Sequence, residues 1–491
     1  MGSIKKLAGQ TAIYGLSSII GRLLNYLLVP FYTRIFSTQE YGVVSELFAY
    51  VSFIMILFTY GLETSFFHFS EKEDTRDKVY STGIISLFGS SFFFSGLMIL
   101  FSSSIAGWIQ FPKHPEYITW FACILFLDTL CALPFARLRQ QNRAKRFASI
   151  KIFNIGINIF FNIFFLVICP ALVKDKGAIG DFIDVVYSDR IGIGYVFISN
   201  LIASFITLLL LIPQFRKINF EFDKSLWKEM LLYGSPLLIA GFAGMVNETF
   251  DRAVYKYLAP DKSKALTELG IYSACYKLSI IMTLFVQTFR YAAEPFFFSQ
   301  HKKENSSEVY ALVMKYFVIT CSFIFVAVML YIDVFKLFIG EDFRKGLAVV
   351  PILLMANLFL GIFYNLSMWY KLTGQTRFGA YFSIFGAVLT IVLLWLLIPQ
   401  MGYVGAAWAT LIVYAAMMIV SYITGQKNYP IPYDLPRILT YVILALIIYF
   451  ASLGIEKLLK PGDVAGFIIS TFLLMVFAGF TFVLEKPKKV T

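Results

Sequence analysis

The stretch YGSPLLIAGFAGMVNETFDRAVYKYLAPDKSKALTELGIYSACY, residues 233–276, decides how the whole chain is interpreted. Its apolar first part is long enough for a helix of the about 20 residues that cross a bilayer. That predicted helix also carries Glu248, Asp251 and Arg252, next to Asn247. Charges inside a membrane segment are costly and usually functional, so this face should line a protein interior or a hydrated cavity. In the alternative, Glu248 and Arg252, four residues apart, form an internal ion pair that holds helices together.

Composition indicates that the whole chain is a membrane protein. Of its 491 residues, 58% are hydrophobic, and the mean hydropathy is +0.73. Uncharged apolar runs recur along the sequence, so we predict an all-α polytopic membrane protein with about 14 transmembrane helices. Five cysteines and three histidines form no metal-ligand pattern, and the sequence has no nucleotide-binding loop or nucleophile motif, so we predict no metal and no enzyme. The net charge of +12 fits basic cytoplasmic loops and does not require nucleic acid.

The predicted spans divide into two lobes of six helices. The spans cover about residues 9–36, 41–69, 79–103, 117–136, 148–172, 191–213, 231–258, 269–298, 309–331, 347–370, 379–399, 404–424, 438–453 and 464–484. The lobes are residues 1–213 and 230–424, joined by a cytoplasmic connector at 214–229, and residues 425–491 add two helices and a cytoplasmic tail.

Short repeats indicate that the two lobes are related. Residues 40–45 read EYGVVS and residues 268–273 read ELGIYS, both with the pattern E-x-G-x-x-S. A Tyr-Gly pair also opens the first and the seventh predicted span. A repeat of six spans preserves orientation, so the lobes should be pseudo-symmetric about an axis along the membrane normal. Basic residues gather in the loops of one side, which predicts that both termini are cytoplasmic.

Charged side chains within the predicted spans are the candidate functional residues. A cavity that binds an anion needs fixed positive charge, and the planar guanidinium of arginine suits phosphate. We predict a substrate-binding cavity that includes Arg22, Arg252, Arg290, Asn25 and Asn247. The acidic candidates for ion coupling or ion pairing are Asp128, Glu248, Asp251 and Glu294.

Several of these groups also have a structural interpretation. Arg290 and Glu294 are four residues apart and form a local pair in that interpretation, whereas Asp128 pairs with an arginine. Lys315 is expected to extend its ammonium group to the membrane interface. The basic loop at 137–147 is expected to fix the topology, or alternatively to contact anionic lipid headgroups.

Two segments resemble a known family of membrane transporters. RIFSTQEYGVVS, residues 34–45, resembles the segment that follows the first span of Wzx-type polysaccharide flippases. DRAVYKYLAP and LGIYSACYKL, both within residues 251–278, resemble the D-R…G-x-Y-x-x-A segment of that family's seventh and eighth spans. Asp251 and Arg252 occupy the D-R positions. The family is part of the multidrug/oligosaccharidyl-lipid/polysaccharide exporter superfamily.

The resemblance implies a function in cell-surface polysaccharide biosynthesis, for example of the O-antigen of lipopolysaccharide. The expected substrate is a polyprenyl-diphosphate-linked oligosaccharide, moved across the bacterial inner membrane by alternating access between the lobes. No cofactor is expected, the coupling ion would be Na⁺ or H⁺, and a polysaccharide polymerase and a chain-length regulator are the expected partners. Alternatives are a cation-coupled multidrug exporter, an exporter of another lipid-linked precursor similar to lipid II, and a membrane scaffold that transports nothing.

Overall fold

The computed structural model describes residues 21–486 except 22, 25, 72–74, 175–182, 184–186, 217–220, 301–304 and 461. Every regular element in those residues is a helix. Within this described part of the chain, eleven helices are long and apolar enough to cross a membrane, or twelve if one bent pair is counted as a span. The prediction of an all-α polytopic membrane protein is therefore confirmed, while the first predicted span lies largely outside the described residues.

The α-helices are numbered here in chain order. They are α1 (Leu28–Ile35), α2 (Thr38–Thr59), α3 (Leu62–Phe69), α4 (Arg76–Leu100), α5 (Ser102–Trp108), α6 (Pro115–Gln140), α7 (Ala144–Ile163), α8 (Cys169–Lys174), α9 (Gly194–Phe215), α10 (Lys224–Leu258), α11 (Ala265–Leu278), α12 (Ile280–Gln300), α13 (Ser306–Leu330), α14 (Ile332–Phe335), α15 (Val350–Leu366), α16 (Met368–Leu372), α17 (Arg377–Asn428), α18 (Leu435–Leu459) and α19 (Asp463–Glu485). A π-helical turn at Phe164–Ile168 joins α7 to α8, and 3₁₀ turns lie at Asp189–Ile191, Lys336–Phe338 and Glu341–Val349.

The eighth predicted span is broken into two helices. α11 and α12 meet at an angle of 49°, with Ser279 between them. The Ser279 hydroxyl donates to the carbonyl oxygen of Tyr276 at 2.7 Å. A serine hydroxyl bonded to the preceding turn in this way favours a bend in a helix. The span predicted over residues 269–298 therefore consists of two helices that meet at a bend.

Helix α17 contains a reversal that separates two predicted spans. A straight helix of its 52 residues would be about 78 Å long, more than twice the about 30 Å of the hydrocarbon layer. Gly402 has φ 56° and ψ −139°, a conformation that glycine adopts without steric cost. A Cβ atom on Gly405 would lie 2.3 Å from the carbonyl oxygen of Leu397. Because residues eight apart in a straight helix are about 12 Å apart, the chain must fold back here, between the predicted spans 379–399 and 404–424.

Helix α10 begins earlier than the sequence predicts. Its first residue is Lys224, inside the predicted polar connector, because Asp223 caps the helix. Asp223 Oδ1 accepts the backbone N–H groups of Ser225 at 2.8 Å and Leu226 at 3.0 Å, which satisfies two donors of the first turn. Lys78 Nζ lies 2.7 Å from Asp223 Oδ2, and this hydrogen bond holds the pKa of Asp223 below its usual range.

The described residues form two compact units. Unit 1 contains the described residues up to Phe36 together with Val43–Thr249. Unit 2 contains Ser37–Gly42 together with the described residues from Phe250 onward. The lobe and connector boundaries that were inferred from the sequence repeat stay a prediction.

Each unit has its own aromatic and aliphatic core. In unit 1, Leu62, Phe66 and Leu133 are fully buried in one cluster. In unit 2, Trp369 and Tyr414 lie at the centre of another. Such burial removes about 25 cal/mol of unfavourable free energy for each Å² of apolar surface, measured against water. The two cores hold the helices that carry the polar side chains described below.

A buried arginine ties together three segments of unit 1. Arg137, at the start of the basic loop predicted to fix the topology, is only 3% exposed. Its Nη2 lies 2.5 Å from Asp77 Oδ1, its Nη1 donates to the carbonyl oxygen of Gln214 at 3.4 Å, and its guanidinium carbon lies 4.2 Å from the ring centroid of Tyr80. Arg137 therefore has specific partners in the folded protein in addition to any effect on topology.

Candidate functional site

The first residues of α2, which belong to unit 2, cross α11 with the two backbones in contact. A Cβ atom on Gly42 would lie 1.9 Å from the carbonyl oxygen of Leu266, and one on Gly270 would lie 1.8 Å from that of Thr38. The contact is reciprocal, because each obstructing carbonyl lies four residues before the other glycine. These are the matching glycines of the two E-x-G-x-x-S segments. The repeat therefore corresponds to a glycine contact that fixes α11 against the beginning of α2.

The residues that resemble the family's D-R pair lie where α10 packs on α11. Asp251 is 5% exposed, and its Oδ2 accepts the Tyr272 hydroxyl at 2.6 Å. Asp251 Oδ1 accepts the backbone N–H of Arg252 at 2.8 Å and lies 3.8 Å from Arg252 Nη1. The guanidinium carbon of Arg252 lies 4.1 Å from the ring centroid of Tyr276. We call Asp251, Arg252, Tyr272 and Tyr276 the D-R cluster.

The D-R cluster presents a positioned guanidinium group. The tyrosine hydroxyl and a backbone N–H hold the Asp251 carboxylate, and the Tyr276 ring supports the face of the guanidinium plane. The Arg252 side chain is 14% exposed. A guanidinium group that is held on one face can donate paired hydrogen bonds to a phosphate from its edge. The two tyrosines of the cluster were missed in the sequence, although they lie four residues apart on one helical face.

The second predicted arginine of unit 2 lies in a different setting. The guanidinium carbon of Arg290 is 4.9 Å from the ring centroid of Tyr364. Glu294 Oε1 lies 2.9 Å from Lys371 Nζ. Within the described residues Glu294 thus pairs with the lysine of α16 and not with Arg290. The local pair that the four-residue spacing allowed is wrong, because the helix bearing Lys371 packs against Glu294.

Asp128 lies inside unit 1 next to a lysine that the sequence analysis overlooked. The Ser204 hydroxyl is hydrogen-bonded to the Asp128 side chain, and Lys151 is the cation that interacts with it electrostatically. Lys151 Nζ lies 4.2 Å from the ring centroid of Phe135. The expected arginine partner of Asp128 is therefore wrong: the neighbouring cation is a lysine.

Helix α7 carries a polar stripe of which Lys151 is the first member. Asn154, Asn158 and Asn162 follow it at intervals of three, four and four residues, which places all four on one helical face. Asn154 Nδ2 donates to Thr207 Oγ1 at 2.8 Å, and Asn162 Nδ2 donates to Asn158 Oδ1 at 2.7 Å. This spacing is a signal that the sequence alone contained.

Lys315 is buried in unit 2 beside a carboxylate. It is 8% exposed and pairs with Glu485 of α19. Glu485 Oε1 also accepts the Tyr441 hydroxyl at 2.7 Å and lies 3.7 Å from Arg437 Nη1. The snorkelling of Lys315 stays a prediction, and its partner in the structure is a carboxylate 170 residues away in sequence.

The remaining predicted residues are placed as follows. Asn247 is half-buried and Glu248 is exposed on α10, one turn before the D-R cluster. Arg22 and Asn25 lie outside the described residues. No group of three or more His, Cys, Asp or Glu side chains within the described part of the chain could hold a metal ion.

The fold is similar to that of several solved transporters. The structure of "Lipid II flippase MurJ, inward closed conformation" superposes with a TM-score of 0.71 at 14% identity, over 96% of this chain and 98% of that chain. An inward-facing multidrug resistance MATE family transporter of the MOP superfamily gives a TM-score of 0.65 at 12% identity, over 88% and 98%. An outward-facing structure of such a transporter gives 0.58 at 13% identity, over 88% and 96%. Identities this low show a common fold.

Sequence comparison gives the family. No curated protein sequence is detectably similar to this chain. Residues 7–301, more than half of the chain, match the family described as "Polysaccharide biosynthesis protein". The matching residues include the D-R cluster, the paired glycines and Asp128. The chain therefore belongs to the polysaccharide biosynthesis protein family, and its fold is like that of the MurJ and MATE transporters.

Proposed function

We propose that this protein flips a polyprenyl-diphosphate-linked oligosaccharide from the cytoplasmic to the outer leaflet of a bacterial inner membrane. The product would be used for a cell-surface polysaccharide such as the O-antigen of lipopolysaccharide. The observation that carries this proposal is the guanidinium of Arg252, which Asp251 and Tyr276 position inside a predicted membrane segment. A fixed cation is costly there, and a diphosphate is the ligand that its donor geometry suits best.

In this proposal the D-R cluster binds the diphosphate. Arg252 donates to phosphate oxygens, while Asp251 orients it and limits the cost of the buried charge when no substrate is bound. Arg290, Arg22, Asn25 and Asn247 are proposed as further substrate-binding groups. The polyprenyl chain stays in the lipid, and the substrate is released by alternating access. Both termini are proposed to be cytoplasmic.

The coupling ion is proposed to act at Asp128. Asp251 and Glu294 each have a close partner that gives them a positioning role, and Glu248 is exposed. Asp128 has a serine hydroxyl and a nearby ammonium group. The positive charge of Lys151 opposes both Na⁺ and H⁺ at this carboxylate, so the proposed coupling ion is either Na⁺ or H⁺. A polysaccharide polymerase and a chain-length regulator are the proposed partners.

A second candidate is export of another lipid-linked precursor. The superposition on the lipid II flippase favours this alternative, because lipid II is also a lipid-linked precursor. A multidrug exporter is less well supported, because organic cations require an acidic cavity, whereas the proposed substrate-binding groups include three arginines. The chemical identity of the lipid that the protein binds distinguishes these candidates.

Native mass spectrometry of protein purified from its own cells tests the proposal. We expect a co-purifying polyprenyl-diphosphate glycan in the wild type and its loss in Arg252→Ala. Arg252→Lys should retain an intermediate amount, since it keeps the charge but loses the paired donors. Arg344→Ala, whose side chain lies 3.7 Å from Glu341, is the matched control and should bind like the wild type. Equal glycan-lipid retention by Arg252→Ala, or a wild type that carries none, would overturn the proposal.

A further inference from the structure

A groove with a volume of about 530 Å³ lies between α13 and α19 in unit 2. Tyr316 and Phe323 of α13 form one wall, and Phe482 of α19 forms the other. Ala478 and Thr481 lie along the groove between them and leave room where larger side chains would fill it. The lining positions recur every three or four residues on both helices, so the groove follows two helical faces.

One end of this groove carries an excess of positive charge. Lys315 and Arg437 both contact Glu485, and Arg437 also lies 3.5 Å from Asp434. Lys486 follows directly and is exposed. Three cations therefore face two carboxylates, and the sequence continues with two further lysines. An anionic group at this end would be stabilised by charge complementarity.

A polar atom inside the groove has no partner. Thr481 Oγ1 is buried and makes no hydrogen bond within the described part of the chain. Buried hydroxyl groups are usually hydrogen-bonded, so this one indicates a ligand with an acceptor oxygen. Helix α19 packs weakly by itself, because Phe477 is its only buried residue. A ligand that contacts both helices would hold α19 against α13.

The length of the groove identifies the kind of chain that fits it. Tyr316 and Phe323 are seven residues apart, which is about 10 Å along the helix axis. That is about one third of the hydrocarbon thickness, so the groove stays within one leaflet. A phospholipid acyl chain also stays within one leaflet, whereas a long polyprenyl chain extends further. We propose that the groove binds one anionic membrane phospholipid, with an acyl chain between the helices and its phosphate near Lys486.

Thr481 would donate to an ester or phosphate oxygen of this lipid. The site is independent of the substrate that the protein transports, because the D-R cluster plays no part in it. Its predicted effect is to stabilise the packing of the last helix in the membrane. The basic loop at 137–147, for which lipid contact was also considered, lies in the other unit.

Native mass spectrometry with added phosphatidylglycerol or phosphatidylethanolamine tests this site in the full-length protein. We expect one phosphatidylglycerol to bind more tightly than phosphatidylethanolamine. Ala478→Trp fills the groove and should abolish this binding, and the isosteric Thr481→Val should weaken it. Lys486→Gln should weaken it about fivefold, the contribution of one lysine near an anionic lipid surface.

The controls place the same changes outside the groove. Ala451→Trp and Lys457→Gln alter exposed positions of α18 and should bind phosphatidylglycerol like the wild type. The proposal is overturned if both lipids bind equally, if Ala478→Trp and Thr481→Val bind normally, or if polyprenyl phosphate takes the site in preference to phosphatidylglycerol. Since Thr481→Val changes no volume, its result remains decisive if Ala478→Trp does not fold.

Discussion

Replacing Gly270 with alanine tests the backbone crossing of α2 and α11. The new methyl carbon would lie 1.8 Å from the carbonyl oxygen of Thr38, about 1.6 Å inside the ordinary contact distance of 3.4 Å. The obstructing atom belongs to a helix backbone, so no side chain can rotate away. The helices must separate by about that distance, which costs at least the about 1–3 kcal/mol typical of overpacking. Separation would also shift Tyr272 and Tyr276, which lie on the same helix.

The assay is thermal unfolding of the purified protein in detergent, followed by size-exclusion chromatography at a series of temperatures. We expect Gly270→Ala to lower the apparent Tm and Gly42→Ala to do the same. The double variant should lose less than the sum, because the first methyl group already separates the helices. Gly244→Ala is the matched control: it is helical and a Cβ there meets nothing within 4 Å. That control should be neutral or gain up to about 1 kcal/mol from helix propensity.

Equal apparent Tm values for Gly270→Ala and Gly244→Ala would refute the reasoning, since the carbonyl would then not be where the crossing requires it. A loss of stability in Gly270→Ala without any effect of Gly42→Ala would also contradict it. Because each glycine packs against the backbone of the other helix, both substitutions should lower the apparent Tm.

Three further predictions concern other contacts. Asp77→Asn should lower the apparent Tm more than Arg137→Met does. Asp77→Asn leaves the buried guanidinium of Arg137 without its carboxylate partner, whereas Arg137→Met leaves the Asp77 carboxylate, which is 59% exposed. The reverse order would contradict the buried role of Arg137. Asp223, whose pKa is lowered by Lys78, should stabilise the fold above about pH 4, the ordinary value for aspartate, and lose this effect as the pH falls toward its lowered pKa. Unfolding of Lys78→Gln should accordingly depend less on pH below about pH 4 than unfolding of the wild type. Tyr272→Phe should reduce glycan-lipid retention while the protein yield stays near normal. The substitution removes the 2.6 Å hydrogen bond that orients the buried Asp251 carboxylate of the D-R cluster. Unchanged retention would show that this orientation is not needed.

The spans could be predicted because apolar runs of the right length have few alternatives to a membrane helix. Their ends and breaks depended on local contacts that hydropathy does not report. Asp223 starts α10 inside a polar segment by capping it, and Ser279 bends a span that is apolar on both sides. The reversal at Gly402, by contrast, falls between the predicted spans 379–399 and 404–424.

The candidate site was predictable only in part. The D-R residues were found because charges within a membrane segment stand out, and the paired glycines were found as a repeat whose contact was not foreseen. Lys151 was missed although it shares a helical face with three asparagines. The partners of Lys315 and Glu294 were not predictable, since they are 170 and 77 residues away and their pairing depends on which helices pack together.

The most direct test of the proposed transport is to follow flipping in vesicles. The purified protein is reconstituted with a labelled polyprenyl-diphosphate oligosaccharide, and a membrane-impermeant glycosidase reports the sugar that reaches the outer leaflet. The account predicts time-dependent exposure of the inner-leaflet pool by the wild type and by Arg344→Ala, and none above protein-free vesicles by Arg252→Ala. A wild type that exposes no glycan, or an Arg252→Ala variant that flips it at the wild-type rate, would contradict the account.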